Sequence, residues 1–194
     1  MQERESRLAD DALIAQCRAM EPVIRLAEPD DAASLSALKL ATFRETFLEG
    51  GFAIPYPPDD LALFETETYG VDRIAREIAD PVHATWIAER GGILLGYAHV
   101  GPCKLPHPDA AVEHGELYQL YLLRGAQGLG LGGRFMDVVL AHMDAVWPGP
   151  QWLGVWSGND RAQAVYAKWG FTAAGTYKFP VGSWEDEELI LRRG

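Results

Sequence analysis

The chain has only two cysteines in 194 residues, Cys17 and Cys103, far apart and without metal-ligand or redox spacing. That excludes a disulfide-stapled scaffold and reads as two reduced thiols of a cytoplasmic protein. Cations are scarce. Seventeen Lys and Arg stand against 28 Asp and Glu, a formal net charge of −11. Such a balance argues against nucleic acid as a partner and mildly favours a cationic one. No apolar run approaches the roughly 18 residues of a membrane span. The opening MQERESRLADD is polar, unlike a secretory leader. No His, Cys, Asp or Glu group has metal-ligand spacing, so no metal is expected. There is no Gly-Lys-Ser/Thr, which excludes a Walker-type phosphate loop. Repeats and low-complexity tracts are also missing.

What is present is the composition of one globular domain: 48% hydrophobic and 23% charged residues. Residues 1–20 read as an appendage, with Leu8, Ala12, Ala15 and Ala19 forming a thin apolar face. The domain proper is expected over 21–194, its first strand near Val23. Leu35, Leu38, Thr42, Phe43 and Phe47 recur at helical spacing after a cap at Asp30 or Asp31, and Gly50-Gly51 stops that helix. Two shorter helical stretches follow, over 61–70 and after Asp72. Strands are expected over 82–90 and 93–100, joined by the two-residue hairpin Gly91-Gly92. A third, 116–123, leads into a glycine-rich loop and a long amphipathic helix with Phe135, Val139, Leu140, Met143 and Val146 inward. A strand over 151–156, a helix bearing Ala162, Val165, Tyr166 and Trp169, and a final strand pair complete the pattern. This is an α+β domain with a mixed, largely antiparallel sheet and helices on its faces.

The glycine-rich loop, QGLGLGG at Gln127–Gly133, stands between a strand and a helix. Glycines let backbone N–H groups come close to an anion, and the helix adds its unpaired amides and positive dipole end. Backbone donors hold a pyrophosphate without a lysine cluster, which suits an acidic chain. Gly128-x-Gly130-x-x-Gly133 also fits the dinucleotide fingerprint. That fingerprint needs a full nucleotide half-fold around it. Here the preceding strands form hairpins and only about 60 residues follow the loop.

Gln127-x-x-Gly130-x-Gly132 resembles the Arg/Gln-x-x-Gly-x-Gly/Ala signature of the GCN5-related N-acetyltransferase (GNAT) family. The segment Asn159–Phe171, NDRAQAVYAKWGF, resembles that family's second block, Asn-x-x-Ala-x-x-x-Tyr-x-x-x-Gly-Phe. The likeness runs from about Val23 to Arg192. WLGVW, KWGF and the tail around Val181-Gly182 and Glu188–Ile190 are similar to the bacterial spermidine/spermine acetyltransferase branch.

The resemblance implies acetyl-CoA as co-substrate and a small amine as acceptor, in a soluble protein that forms homodimers in many relatives. Amides of Gln127, Gly128, Leu129, Gly130, Leu131, Gly132 and Gly133 would hold the pyrophosphate. The backbone of Leu120, Tyr121 and Leu122 would pair with the pantetheine arm in a slot between splayed strands. Asn159 would touch the pantetheine or pyrophosphate region, and Tyr166 would sit near the thioester sulfur. Gln127 departs from the family's arginine and lacks its charge.

Acyl transfer to an amine needs a base, since an amine of pKa near 10 arrives protonated, and the thiolate leaves better with a proton donor. Tyr166 is the candidate acid, or else a core aromatic on its helical stripe. Glu116 is the candidate base, with His114 as its rival. Strand alternation puts Glu116, Tyr118, Leu120 and Leu122 on one face. Glu45, Glu49, Asp59, Asp60 and Glu185–Glu188 either draw in a polyamine or form a solvated surface. Phe43, Phe47, Tyr56 and Trp184 belong either to the acceptor site or to the core. Other readings are a protein N-terminal or lysine acetyltransferase and a CoA-binding regulatory protein without catalysis.

Overall fold

The computed structural model describes residues 20–48 and 50–194. The appendage expected over 1–20, with Cys17, therefore lies outside the described residues apart from Met20, and so does Glu49. Strand β1 (Val23–Leu26) precedes helices α1 (Ala32–Phe47), α2 (Pro58–Tyr69) and α3 (Val71–Ala79). Strands β2 (Ala84–Arg90), β3 (Ile93–Pro102) and β4 (Gly115–Leu122) follow. Then come α4 (Leu131–Val146), β5 (Gln151–Trp156), α5 (Asp160–Lys168), β6 (Thr172–Val181) and β7 (Trp184–Arg193). Gly91 and Gly92 both have positive φ, 58° and 80°, which is what a twist-matched two-residue hairpin demands.

The seven strands form one sheet in the order β1-β2-β3-β4-β5-β7-β6. Every pairing is antiparallel except β4 with β5. That parallel pair holds only from Gly115–Leu117 to Gln151–Leu153. Beyond Leu117 the two strands part, and the sheet is split down its middle. One face is covered by α4 and α5: Phe135, Met136, Val139 and Met143 pack on Ala98, Val100, Leu117 and Leu153, with Ala162, Tyr166 and Trp169 at the margin. The other face carries α1–α3, through a cluster around Phe43, Phe47, Tyr56 and Tyr69 and another around Leu35, Leu38, Ile74, Ile87 and Tyr97. Val146, expected inward, is the last residue of α4 and is 49% exposed.

One expectation about β4 fails. Val100 pairs with Leu117 and His99 with Gln119, so Tyr118 is an extra residue in a bulge. A bulge resets which face each side chain takes. Glu116 and Tyr118 share the α1–α3 face, where the Tyr118 ring packs on His83 and His99. Leu120 and Leu122 go to the α4–α5 face and pack on its core. The four residues are therefore split between the two faces of the sheet.

Candidate active site

A cavity of about 1330 Å³ passes through the split. It is larger than the 300–1,000 Å³ usual for one small ligand, which suits two substrates entering from opposite sides. On the α4–α5 face its lining includes Leu120, Leu122, Gln127, Gly128, Gly130, Leu131, Gly132, Gly133, Met136, Asn159, Arg161, Ala162 and Tyr166. On the α1–α3 face it includes Phe43, Phe47, Tyr56, Tyr69, Glu116, Tyr118, Tyr121, Tyr177, Asp186 and Glu188.

The loop before α4 is shaped as an anion cradle. Gly128 and Gly130 have φ of 84° and 73°, a left-handed backbone that costs other L-residues energy. A Cβ at Gly128, Gly130 or Gly133 would meet nothing within 4 Å, so the space in front of these amides is open to a ligand. Gly130 is also the residue that precedes α4, whose first amides lack helical partners. These residues fit a pyrophosphate. Leu129 is the exception among the expected contacts: its side chain is 44% exposed and it does not line the cavity. Gln127 brings no charge, but Arg161 on α5 donates to its Oε1 at 2.8 Å. A guanidinium therefore stands beside the loop, carried by the facing helix.

Asn159 caps α5, its Oδ1 accepting from Ala162 N at 3.0 Å, and lines the slot. Two turns on, Tyr166 also lines it. Burial first, and then the nearby Glu188 carboxylate, push its hydroxyl up to about 12. The hydroxyl is therefore protonated throughout the physiological range.

On the opposite face stand two carboxylates. Glu116 is 4% exposed and accepts from Lys104 N at 2.8 Å. Burial raises its pKa, while the backbone amide and the positive charge of Lys104, the Cys103 thiol and the Leu105 amide pull it back. Its oxygens tie β4 to the loop that follows β3. Glu188 on β7 is held differently. Tyr177 Oη donates to its Oε2 at 2.7 Å. Burial, together with the negative charges of Asp186 and Glu116, brings its carboxyl to about 7. Room for it comes from Gly154 on the adjoining strand, where a Cβ would stand 2.7 Å from both Glu188 Oε2 and Tyr177 Oη.

Sequence reasoning placed Glu188 only within an acidic stretch. Strand parity marks it, because Leu189 and Leu191 face the α4–α5 core and Asp186 and Glu188 must face the other way. Four other acidic residues of that group are engaged. Asp60 holds Ser183 N at 3.0 Å, and Glu45 accepts from Arg124 N at 2.7 Å. Glu187 pairs with Lys178 at 2.6 Å, and Asp186 accepts from Tyr56 Oη at 2.5 Å and Trp184 Nε1 at 2.9 Å.

The histidines divide. His114 Nδ1 accepts from Trp152 Nε1 at 3.1 Å and from Ala111 N at 3.2 Å, and it does not line the cavity. It is a loop fastener, not a rival to the carboxylates. His99 is a buried packing residue, with Thr85 Oγ1 at 2.8 Å from its Nδ1 and burial holding its pKa down to about 3. Phe43, Phe47 and Tyr56 turn out to be core and cavity wall at once.

Comparison with known proteins agrees with this geometry. An uncharacterized N-acetyltransferase of Mycobacterium tuberculosis is 35% identical over 137 residues, 70% of this chain and 83% of that protein. Another, from Lactobacillus delbrueckii, is 26% identical over 154 residues, 79% of this chain and 88% of that one. The PaiA N-acetyltransferase of Thermoplasma acidophilum, solved in complex with coenzyme A, matches the fold with a TM-score of 0.70 at 18% identity, covering 90% of this chain and 99% of that one. A GNAT-family acetyltransferase of Streptococcus pneumoniae gives 0.63 at 20% identity, covering 89% and 99%. The family model for the acetyltransferase (GNAT) family matches residues 46–171. With a split mixed sheet, an open glycine cradle before α4 and these relatives, the chain belongs to the GNAT family of acetyl-CoA-dependent N-acyltransferases.

Proposed function

We propose that this protein transfers an acetyl group from acetyl-CoA to the amine of a small molecule by direct attack, with both substrates bound at once. The observation that carries this is the placement of Tyr166 and Glu188 on opposite faces of the split, lining one cavity. Bound acetyl-CoA supplies an activated thioester. The amides of Gly128–Gly133, with Arg161, hold its phosphates, and the backbone of Leu120–Leu122 orients its arm.

Glu188 is the base in this reading. A carboxyl near 7 is ionised about half the time at neutral pH and accepts a proton from an ammonium in a dry site. Tyr166 faces the departing sulfur. A full proton transfer from a hydroxyl of about 12 to a thiolate of about 8.5 runs uphill. Tyr166 therefore acts by donating a hydrogen bond; of the two protons the ammonium nitrogen gives up, the one taken by Glu188 passes on to solvent and the one lost as the amide forms balances the departing thiolate, which leaves as the thiol. Glu116 is the second candidate for the base, favoured by its burial and its place on the same face. Its engagement with the loop at Lys104 and Leu105 ranks it behind Glu188.

The acceptor is a primary amine. A polyamine is the version drawn from the subfamily likeness, and a protein lysine or N-terminus would enter from the same side. The test is release of free thiol from acetyl-CoA across a panel of spermidine, monoamines, amino acids and peptides. Turnover with any of these supports the reading. CoA binding without thiol release from any of them favours a regulatory protein that has lost catalysis.

A further inference from the structure

Glu188 sits among groups that oppose its charge. Burial acts first, and the negative charges of Asp186 on its own strand and Glu116 on β4 work in the same direction. The other titratable groups that feel it are phenols: Tyr177 on β6, Tyr166 on α5, Tyr121 on β4 and Tyr56 before α2. Trp156, its register partner on β5, brings no charge. The positive charge of Lys104 acts on Glu116. Among the described residues, one interaction favours the Glu188 carboxylate: the hydrogen bond from Tyr177.

The fold holds that hydrogen bond in place. Tyr177 and Glu188 stand directly opposite in the β6–β7 pairing, so both side chains leave the same face of the sheet. Tyr177 Oη donates to Glu188 Oε2 at 2.7 Å. Its ring packs on the cluster of Cys103, Leu105, Trp152 and Ile190, which steadies the donor. Gly154 on β5 leaves the space, since a Cβ there would stand 2.7 Å from both oxygens of the pair. Burial first, then the Glu188 and Glu116 charges, hold the phenol far above its ordinary pKa, so Tyr177 is always the donor. Glu188 Oε1 accepts no hydrogen bond from a described residue and is not sealed in the interior. It therefore opens onto the cavity that both residues line.

We propose that Tyr177 is a positioning residue for the reaction: from the neighbouring strand its hydroxyl grips Glu188 Oε2, keeps that carboxylate charged in acidic surroundings, and leaves Oε1 to take the proton of the acceptor amine. The inference rests on the reading of Glu188 as the base. A hydrogen bond to an ionised acceptor favours the ionised form by roughly one to two pH units. Without it, burial and two like charges would keep Glu188 protonated at neutral pH, where it could accept nothing.

The test is Tyr177→Phe in the full chain, which keeps the ring and removes the donor. Two readouts are taken. One is the pH profile of kcat/KM from thiol release, with the amine of the panel that turns over fastest. The other needs no turnover: nuclear magnetic resonance titration of the Glu188 carboxyl in protein carrying isotope-labelled glutamate, its signal assigned by its loss in Glu188→Gln. The midpoint, about 7 in the parent, should rise by about one pH unit or more in both readouts. At neutral pH kcat/KM should fall roughly fivefold or more, and above the new midpoint it should return to within about threefold of the parent. A loss of equal size at every pH, or a midpoint that does not move, overturns the inference. If Tyr177→Phe fails to fold by circular dichroism, a fluorinated tyrosine at Tyr177 alone replaces it. Its more acidic hydroxyl donates more strongly and should move the midpoint down; an unmoved midpoint again overturns the inference. A rate limb lost in Glu188→Gln but unmoved in Tyr177→Phe leaves the base standing and removes Tyr177. A carboxyl midpoint that moves while the rate profile stays put overturns Glu188 as the base, and with it any part for Tyr177 in the reaction.

Discussion

The two halves of the cavity are built by different means. The cofactor half is centred on one continuous stretch, Gln127–Gly133, which offers backbone amides at a helix start, with residues of β4 and α5 beside it. The acceptor half is made of side chains from α1, α2, α3, β4, β6 and β7 and the loop after β3, spread from Lys39 to Glu188 in the sequence. Backbone donors serve any sequence that keeps the glycines, so the first half is general to the task of holding a phosphate. Side chains converging from distant segments can be exchanged singly, so the second half is where one acceptor is told from another.

The largest expected effect falls on the cofactor half. Gly130→Val forces a β-branched residue to a φ of 73° and puts a side chain in front of the cradle. CoA affinity measured by calorimetry should drop by about 100-fold or more, since both the strain and the blocked amides act on the same ligand. Retained circular dichroism would show that the fold survives. If CoA affinity survives too, the cradle does not depend on this backbone.

Next comes the acceptor half. Glu188→Gln should lower kcat/KM by about 100-fold while leaving CoA affinity close to its original value. In the parent enzyme kcat/KM should rise with pH through about 7 as Glu188 ionises. The variant should lose that limb. If Glu116→Gln flattens the profile instead, the base is Glu116.

The same substitution has a signature in stability. Burial raises the Glu188 carboxyl from 4.5 to about 7, so the folded protein holds this proton more tightly than the unfolded chain. The favourable term is complete below about pH 4.5 and is lost as pH rises through about 7. At pH 8 Glu188→Gln should therefore raise unfolding free energy by up to about 3 kcal/mol, and at pH 4 by little. Urea titrations at the two pH values check this.

A smaller effect is expected at the junction of the halves. Tyr166→Phe should lower kcat about tenfold by removing one hydrogen bond to the leaving sulfur, with CoA affinity nearly intact. Collapse of CoA binding would make Tyr166 a wall of the slot only. The smallest effect belongs to Arg161→Ala. Its guanidinium is exposed, so CoA affinity should fall only about fivefold, and less at high salt.

How much of this was legible before the fold was known follows the same division. Strand boundaries, the Gly91-Gly92 hairpin and the Gln127–Gly133 cradle are local, set by periodicity and by glycine's freedom at positive φ, and the structure contains each of them. The face of β4 was misread because the bulge at Tyr118 leaves no mark in a single strand; it exists only in the pairing with β3. Arg161 beside Gln127 was missed for a related reason, since the loop and α5 meet only when β5 is laid next to β4. Glu188 was hidden in an acidic run, where nothing but the exclusion of its neighbours from solvent separates it from Glu187, which pairs with Lys178 at the surface.

By itself, then, the sequence determined the family and the cofactor and marked the glycine-rich loop before α4, because these rest on contiguous residues and backbone geometry. The tertiary structure alone decided which carboxylate is poised near neutrality and which side chains line the split opposite the glycine loop. Those properties arise from burial and from charges brought together across the sheet, and neither exists until the chain is folded.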